Sequence, residues 1–333
     1  MPLGVLLIVL GAATNGSFAV PMKRMRGWAW AHSWFVWSFS GLLVVPLAAG
    51  LLTIPDLAGV YQATSWNSLL RTAVFGFLWG VSGVLFGLGI SQLGLALGFG
   101  IIIGISSALG AIGPLLATHR EQLFTSTGLL TLAGVAVIVT GVAACAVAGR
   151  IRETARQNQA GGSVTKGLLI CVASGVMAPM MNFGLAYGSE IQEHARRLGA
   201  GESHLANALW PVLLSAGFLA NASYCGWLMS RRDGWRPLVA VSPASNLSRG
   251  FLMGLLWMAG LLLYGYGSRM LGSLGLILGW PVMMGCTVLT ANAWGVATGE
   301  WVGASRAAKR WVTGGVILLV AGVLIISMAG GRT

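Results

Sequence analysis

The sequence predicts an all-α polytopic membrane protein, ten transmembrane helices in two inverted five-helix repeats. Three observations carry this. Hydrophobic residues make up 56% of the 333 and charged ones only 8%, whereas a soluble domain needs about a quarter of its residues charged to coat its surface. The apolar residues fall in runs long enough to cross a bilayer as helices, about 20 residues each, and the charges sit in the short intervals between them. A motif also recurs 178 positions apart, on runs separated by an odd number of crossings. Together these exclude a soluble enzyme, a disordered chain and a disulfide-framed secreted domain.

The first span, 3–22, is preceded by no Lys or Arg and followed by Lys23-Arg24-Met25-Arg26. That order is the reverse of a cleavable signal, so the span is expected to be retained. The second, 32–52, follows a tryptophan-rich start, and the third, 72–91, carries the first copy of the motif. The fourth, 94–117, is rich in glycines (Gly94, Gly98, Gly100, Gly104) that permit close helix approach, and 128–148 is the fifth. Spans six to ten are 167–189, 205–229, 250–270, 275–299 and 312–330. Pro46, Pro114, Pro179, Pro211 and Pro281 interrupt spans; each frees a carbonyl one turn earlier, which a bundle tolerates where that group faces a cavity or a neighbour.

Orientation follows from the basic residues. Fourteen of the 20 Lys and Arg lie in the loops after spans one, three, five, seven and nine, and six on the opposite face. The bias places the odd loops in the cytoplasm and both termini on the periplasmic side of a bacterial inner membrane. The formal charge of +12 flanks apolar runs and forms no continuous basic patch, so the partner it implies is the lipid bilayer and not nucleic acid. Cys145, Cys171, Cys225 and Cys286 stand singly in apolar runs without ligand spacing, and no metal, redox site or cofactor is expected.

The repeat reads G-x-L-W, six residues, an aromatic, G-x-G, three residues, L-G. Its copies run from Gly76, through Trp79, Phe86, Gly87 and Gly89, to Gly94, and from Gly254, through Trp257, Tyr264, Gly265 and Gly267, to Gly272. They stand on spans three and eight, five spans apart, so they cross the membrane in opposite senses, as the inverted repeats of secondary transporters do. The expected division is 1–150 for the first five-helix repeat, 151–166 for a basic cytoplasmic linker and 167–333 for the second. Asn15 on span one and Asn182 on span six, each followed by an aromatic within three residues, echo the same relation.

Almost no ionisable group enters the spans; Arg71, Glu190, Glu193, Arg249, Arg269 and Glu300 stand near their ends. Such a bundle suits a neutral, polar cargo, because intramembrane acids and bases are what mark ion paths. Asparagine does enter: Asn15, Asn182, Asn207, Asn221 and Asn292. An amide at that depth needs partners, from a neighbouring helix or from a polar cavity. In span seven Asn207, Pro211, Ser215 and Asn221 fall within an arc of about 120°. Trp28, Trp66, Trp235, Trp301 and Trp311 lie at span ends as interfacial anchors. Trp34, Trp37, Trp79, Trp210, Trp227, Trp257, Trp280 and Trp294 lie at or within spans, where an indole serves core packing or stacks on the C–H face of a sugar. No phosphate-binding loop, nucleophile elbow or metal-ligand pair emerges, so no enzymatic function is expected.

Gly11-Ala12-Ala13, Phe18-Ala19-Val20-Pro21-Met22-Lys23 and Trp28-Ala29-Trp30 with Trp34 following resemble the first hairpin of the L-rhamnose–proton symporter family, within the drug/metabolite transporter superfamily. Trp79-Gly80, Phe86-Gly87-Leu88, Leu93-Gly94, the run from Gly98 to Pro114, Met181-Asn182 and Glu300-Trp301 fit as well. The resemblance implies ten helices in two inverted halves and secondary transport of a deoxy sugar or related neutral solute by alternating access. It departs at one place: where the family carries Glu after the second Trp of W-x-W, this chain has Ala31, followed by His32. Coupling through His32, or transport without coupling, are the two readings of that departure. The residues expected to line a midplane cavity are Asn15, Trp34, Trp79, Asn182, Asn207, Asn221, Trp257 and Trp280, with aromatics for stacking and amides for hydroxyls. An exporter of the same superfamily and a non-transporting membrane scaffold are the alternatives, and the sequence assigns no oligomeric state.

Overall fold

The structure, a computed structural model, describes residues 2–93, 101–106, 109, 124–157, 164–272, 275–299 and 301–330. Every regular element among the described residues is helical. The chain forms α1 (Pro2–Ser17), α2 (Trp30–Ser38), α3 (Val45–Thr53), α4 (Leu57–Ala63), α5 (Trp66–Leu93), α6 (Ser126–Gln157), α7 (Val164–Met177), α8 (Met180–Tyr187), α9 (Ser189–Arg197), α10 (Ala206–Leu228), α11 (Pro243–Met270), α12 (Gly275–Ala297) and α13 (Arg306–Gly330). Eight helical stretches among the described residues are long and apolar enough to cross a membrane: Leu3–Arg24, Trp30–Thr53, Trp66–Gly89, Gly128–Arg152, Lys166–Arg197, Glu202–Asp233, Pro243–Met270 and Arg306–Ile326. They correspond to the expected spans one, two, three, five, six, seven, eight and ten. The expected ninth span is occupied by α12, 23 residues without a charged side chain. Most of the expected fourth lies outside the described residues.

Prolines shape the helices in three ways. Between α2 and α3 the residues Phe39–Val44 wind as a π-helix, in which Val45 N–H bonds the Ser40 carbonyl five residues back. Pro46 has no N–H to return, and the wider turn ahead of it takes up the mismatch. Pro179 separates α7 from α8, so the sixth span is broken three residues before Asn182. Pro211 and Pro281 stand inside unbroken α10 and α12.

The segment expected as a linker is partly helical. Helix α6 runs to Gln157 and α7 starts at Val164, because Ile151, Arg152, Glu153, Ala155, Arg156 and Gln157 include good helix formers with no breaker. The extension carries the Arg152 guanidinium over the Trp301 ring, 4.9 Å from its centroid. Trp301 is therefore buried rather than an exposed interfacial anchor. Glu190 likewise does more than mark a span end: its carboxylate accepts from Ser65 N–H at 2.9 Å and Ser65 Oγ at 2.6 Å, which places a negative charge at the α5 N-terminus.

Two compact units divide the chain. One comprises Met1–Ser17, Leu85–Ala178 and Gly260–Thr333; the other comprises Phe18–Val84 and Pro179–Ala259. In the first, α1 runs antiparallel to α11, with Gly4 facing the Gly267 carbonyl and Gly11 that of Gly260. Helix α1 runs parallel to α12, Ile8 lying by Gly279 and Gly16 by Thr290. Helices α6 and α13 are antiparallel, with Gly134 at Gly322 and Gly141 at Gly315. Small residues at each contact let backbones meet, the source of helix association where lipid removes the hydrophobic drive.

In the second unit α5 lies parallel to α10, Gly76 on Leu213 and Gly80 on Gly217. The same α5 lies antiparallel to α8, because Ser68 Oγ donates to the Tyr187 carbonyl at 2.8 Å and Phe75 stacks on Phe183 at 5.6 Å. Helix α2 and its π-turn lie parallel to α11, Val36 at Gly250 and Gly41 at Gly254. The repeat motif thus does matching work at its two copies: Gly76 seats α5 on α10, and Gly254 seats α11 on the π-turn.

Candidate functional site

The second unit gathers the tryptophans. Trp30, Trp34 and Trp37 stand at i, i+4 and i+7 and share one face of α2. Trp30 stacks on Trp34 at 5.2 Å and 22°, and Trp34 meets Trp37 at 4.4 Å. Trp37 in turn meets Trp257 edge-on at 5.9 Å and 89°, and Trp257 meets Trp79 at 5.5 Å and 33°. Phe18 lies 5.5 Å from Trp37. Local chemistry explains the arrangement. The two repeat tryptophans stand three residues beyond Gly76 and Gly254, glycines at close helix contacts, and a methyl on Gly217 would come within 3.2 Å of the Trp79 ring.

Asn221 closes the circuit. Its Oδ1 accepts from Trp34 Nε1 at 2.9 Å, and its Nδ2 donates to the carbonyls of Gly217 at 2.8 Å and Gly80 at 3.2 Å. One fully buried amide thereby ties α2, α5 and α10 together. Four of the eight expected lining residues, Trp34, Trp79, Asn221 and Trp257, are brought into one ring, with Trp37 as the fifth member. The donors of Trp34 and Asn221 are all engaged within the protein.

The other four stand apart from that circuit. Asn207 donates from Nδ2 to Thr53 Oγ1 at 3.0 Å and joins α10 to the end of α3. Asn182 follows the Pro179 break, and its Oδ1 is buried with no partner among the described residues. Asn15 and Trp280 belong to the first unit. There Trp280 Nε1 donates to the Ser106 carbonyl at 3.2 Å and its ring lies edge-on to Tyr264 at 5.7 Å, while Asn15 lies beside Gly260.

His32 is 1% exposed and both its ring nitrogens are engaged. Nδ1 accepts from Ala29 N–H at 3.0 Å, and Nε2 lies 2.8 Å from the Gly234 carbonyl. With Nδ1 accepting, Nε2 is the ring nitrogen left to donate to the Gly234 carbonyl. The ring fastens the start of α2 to the segment after α10. Trp28 does the same one turn earlier, donating from Nε1 to the Pro237 and Val241 carbonyls at 2.9 and 3.1 Å, so it is a latch between segments as well as a span-end tryptophan. Asn246 Nδ2 adds a bond to the Arg26 carbonyl at 3.0 Å.

Sequence spacing grouped Trp79 with Trp257 but did not select Trp37. The i, i+4, i+7 series on α2 was the signal that points to it. Among the described residues no three His, Cys, Asp or Glu side chains converge as a metal site.

Over residues 1–330 the chain matches the family model described as L-rhamnose-proton symport protein (RhaT). Relatives named L-rhamnose-proton symporter from Yersinia pestis (strain Pestoides F) and Yersinia pseudotuberculosis serotype O:3 (strain YPIII) are 28% identical over 337 residues, covering 98% of this chain and 98% of theirs. One of the same name from Salmonella enteritidis PT4 (strain P125109) is 28% identical over 341 residues, with the same coverage. The resemblance carried by the W-x-W hairpin and the repeat blocks is thus shown, as is the expectation of a membrane transporter rather than an enzyme. The chain belongs to the L-rhamnose-proton symport protein family.

Proposed function

We propose that this chain carries L-rhamnose or a related deoxy sugar across the bacterial inner membrane in symport with protons, by alternating access and without a bound cofactor. The observation that carries the reading is the contact between Trp79 and Trp257 inside a ring of indoles. A 6-deoxy sugar presents apolar C–H faces and a methyl group, which stack on such rings. Among the expected lining amides, Asn182 is the one whose oxygen is buried with no partner among the described residues, which leaves it capacity for a hydroxyl. Asn15, Asn207 and Trp280 are retained as further lining residues, and Trp34 and Asn221 hold the ring in shape.

Ten spans in two inverted repeats, with both termini periplasmic, complete the reading. Helix directions support the count. Parallel α5 and α10, antiparallel α5 and α8, and antiparallel α1 and α11 all fit ten crossings, whereas removing one crossing between α5 and α6 would reverse all three relations. The inverted repeat is supported by the equivalence of Gly76 and Gly254 in packing. It is supported further by the contact of Trp79 with Trp257, since equivalent residues touch each other when they lie near the axis that relates them.

None of the Asp and Glu side chains described is buried, whereas His32 is, so His32 is the group proposed to take the coupling proton. The incoming proton seats on Nδ1, and doing so breaks the bond from Ala29 N–H that starts α2, the helix carrying Trp34 and Trp37. Asp233 and Arg236 stand one and two positions from Gly234 along the chain. His32→Gln is expected to retain counterflow exchange of sugar and to lose accumulation driven by a proton gradient; accumulation equal to the parent's would remove His32 from the coupling path.

The test of the whole reading is uptake of labelled L-rhamnose into proteoliposomes with and without an imposed pH gradient. Accumulation above the outside concentration only with the gradient is the expected result. Uptake that equilibrates regardless of the gradient would leave a sugar facilitator, and no uptake of any deoxy sugar would overturn the proposal.

A further inference from the structure

Trp37 combines two properties that the packing of the ring does not require together. Its side chain is 3% exposed, and its Nε1–H is buried with no hydrogen-bond partner among the described residues. A buried indole N–H ordinarily finds an acceptor, and leaving one unmade is costly enough that each such case calls for a reason. Around Trp37 stand the rings of Phe18, Trp34 and Trp257, which offer π faces and edges but no oxygen. Contact with a ring face is a weak substitute for an oxygen acceptor. The side-chain oxygen brought into the ring by Asn221 already accepts from Trp34 Nε1. Three aromatic neighbours also give a lone water too few polar partners to settle beside the indole.

We infer that Trp37 is a specificity-determining residue whose Nε1–H donates to one oxygen of the transported sugar. The inference rests on the sugar-transport reading and adds to it a residue that the repeat motif did not mark. Trp79 and Trp257 supply faces, which accept many sugars alike. A single directed donor at the joint between Trp34 and Trp257 distinguishes sugars by the position of one oxygen, because a site with an unpaired donor rejects the analogue that cannot satisfy it. The contrast with Trp34 is the structural argument: two indoles one turn apart on the same helix, one tied to Asn221 and the other left open.

The experiment compares Trp37→Phe with the unaltered chain in proteoliposomes, using labelled L-rhamnose and a series of its monodeoxy analogues as competitors. In the unaltered chain one analogue is expected to compete about tenfold more weakly than L-rhamnose, the worth of one hydrogen bond. In Trp37→Phe the KM for L-rhamnose rises by about the same factor with kcat little changed, and that analogue now competes as well as L-rhamnose does. Trp34→Phe serves as the contrast; it severs the Asn221 bond, lowers thermal stability, and leaves the analogue ranking unchanged. Trp37→Leu, which likewise carries no donor, replaces the Phe variant if that protein does not reach the membrane. An unchanged KM, or a loss shared equally by L-rhamnose and every analogue, overturns the inference while leaving sugar transport standing. Absence of sugar uptake by the unaltered chain overturns both.

Discussion

Asn182→Ala and Trp257→Ala are each expected to abolish L-rhamnose uptake, by at least about a hundredfold, with the protein still inserted in the membrane. Asn182→Ala is the sharper of the two. The Asn182 Oδ1 has no partner among the described residues, so removing it breaks no acceptor bond, and deleting a buried polar atom that is unpaired leaves stability unchanged or raises it. A fall in uptake at constant or higher melting temperature then reports a lost sugar contact and not a lost fold. Trp257→Ala removes an indole that touches both Trp37 and Trp79, and truncating a buried Trp costs about 3–5 kcal/mol in a packed core. Its melting temperature is therefore expected to fall, and Trp257→Phe, which keeps a stacking face, is expected to recover most of the stability and part of the uptake. The measurements are initial-rate uptake in proteoliposomes and thermal melting of purified protein. Normal uptake by both alanine variants would remove Asn182 and the indole ring alike from the sugar path.

How far the sequence revealed this site depended on the kind of information each residue carries. Period and spacing state which residues share a helix face. They put Trp79 and Trp257 in equivalent positions, and the two touch. They put Asn207 and Asn221 on one face of α10, and both are buried. Spacing is silent about what lies opposite that face, so it could not show that Asn221 is engaged by Trp34 while Asn182 is left open. Proline behaved likewise. A missing N–H marks a place where the helix is challenged, but Pro179 breaks its span, Pro46 follows a π-turn and Pro211 leaves α10 continuous, outcomes decided by packing around each ring. Trp28 reads from its position as an interfacial anchor, yet its N–H finds carbonyls more than two hundred residues away. Contacts at that distance along the chain are written in the tertiary fold and in no local pattern.

The glycines of the repeat allow that tertiary fold to be tested directly. Gly76→Ala is expected to cost about 3 kcal/mol or more, at the upper end of what overpacking costs. The new methyl would land on the Leu213 carbonyl oxygen and lie 2.8 Å from its carbon, and backbone atoms inside a helix have no rotamer with which to move aside. Helices α5 and α10 would have to part. Parting them also stretches the Asn221 bond to the Gly80 carbonyl, and through Asn221 it loosens Trp34, so uptake falls together with stability. Gly254→Ala meets Ser40 Oγ and, at 2.6 Å, the backbone nitrogen of Gly41. The hydroxyl can rotate but the nitrogen cannot, which makes the second substitution nearly as damaging as the first. Gly265→Ala is the control from the same helix and the same motif: a methyl there meets nothing within 4 Å, and the exchange gains helix propensity of up to about 1 kcal/mol. Thermal melting of the three variants therefore has a definite expected order, with Gly265→Ala at or above the parent and the other two far below it. Were Gly76→Ala to melt with the parent, the close approach of α5 and α10 would be refuted. A large cost at Gly76 with none at Gly254 would instead refute their equivalence, and with it the packing support for an inverted repeat.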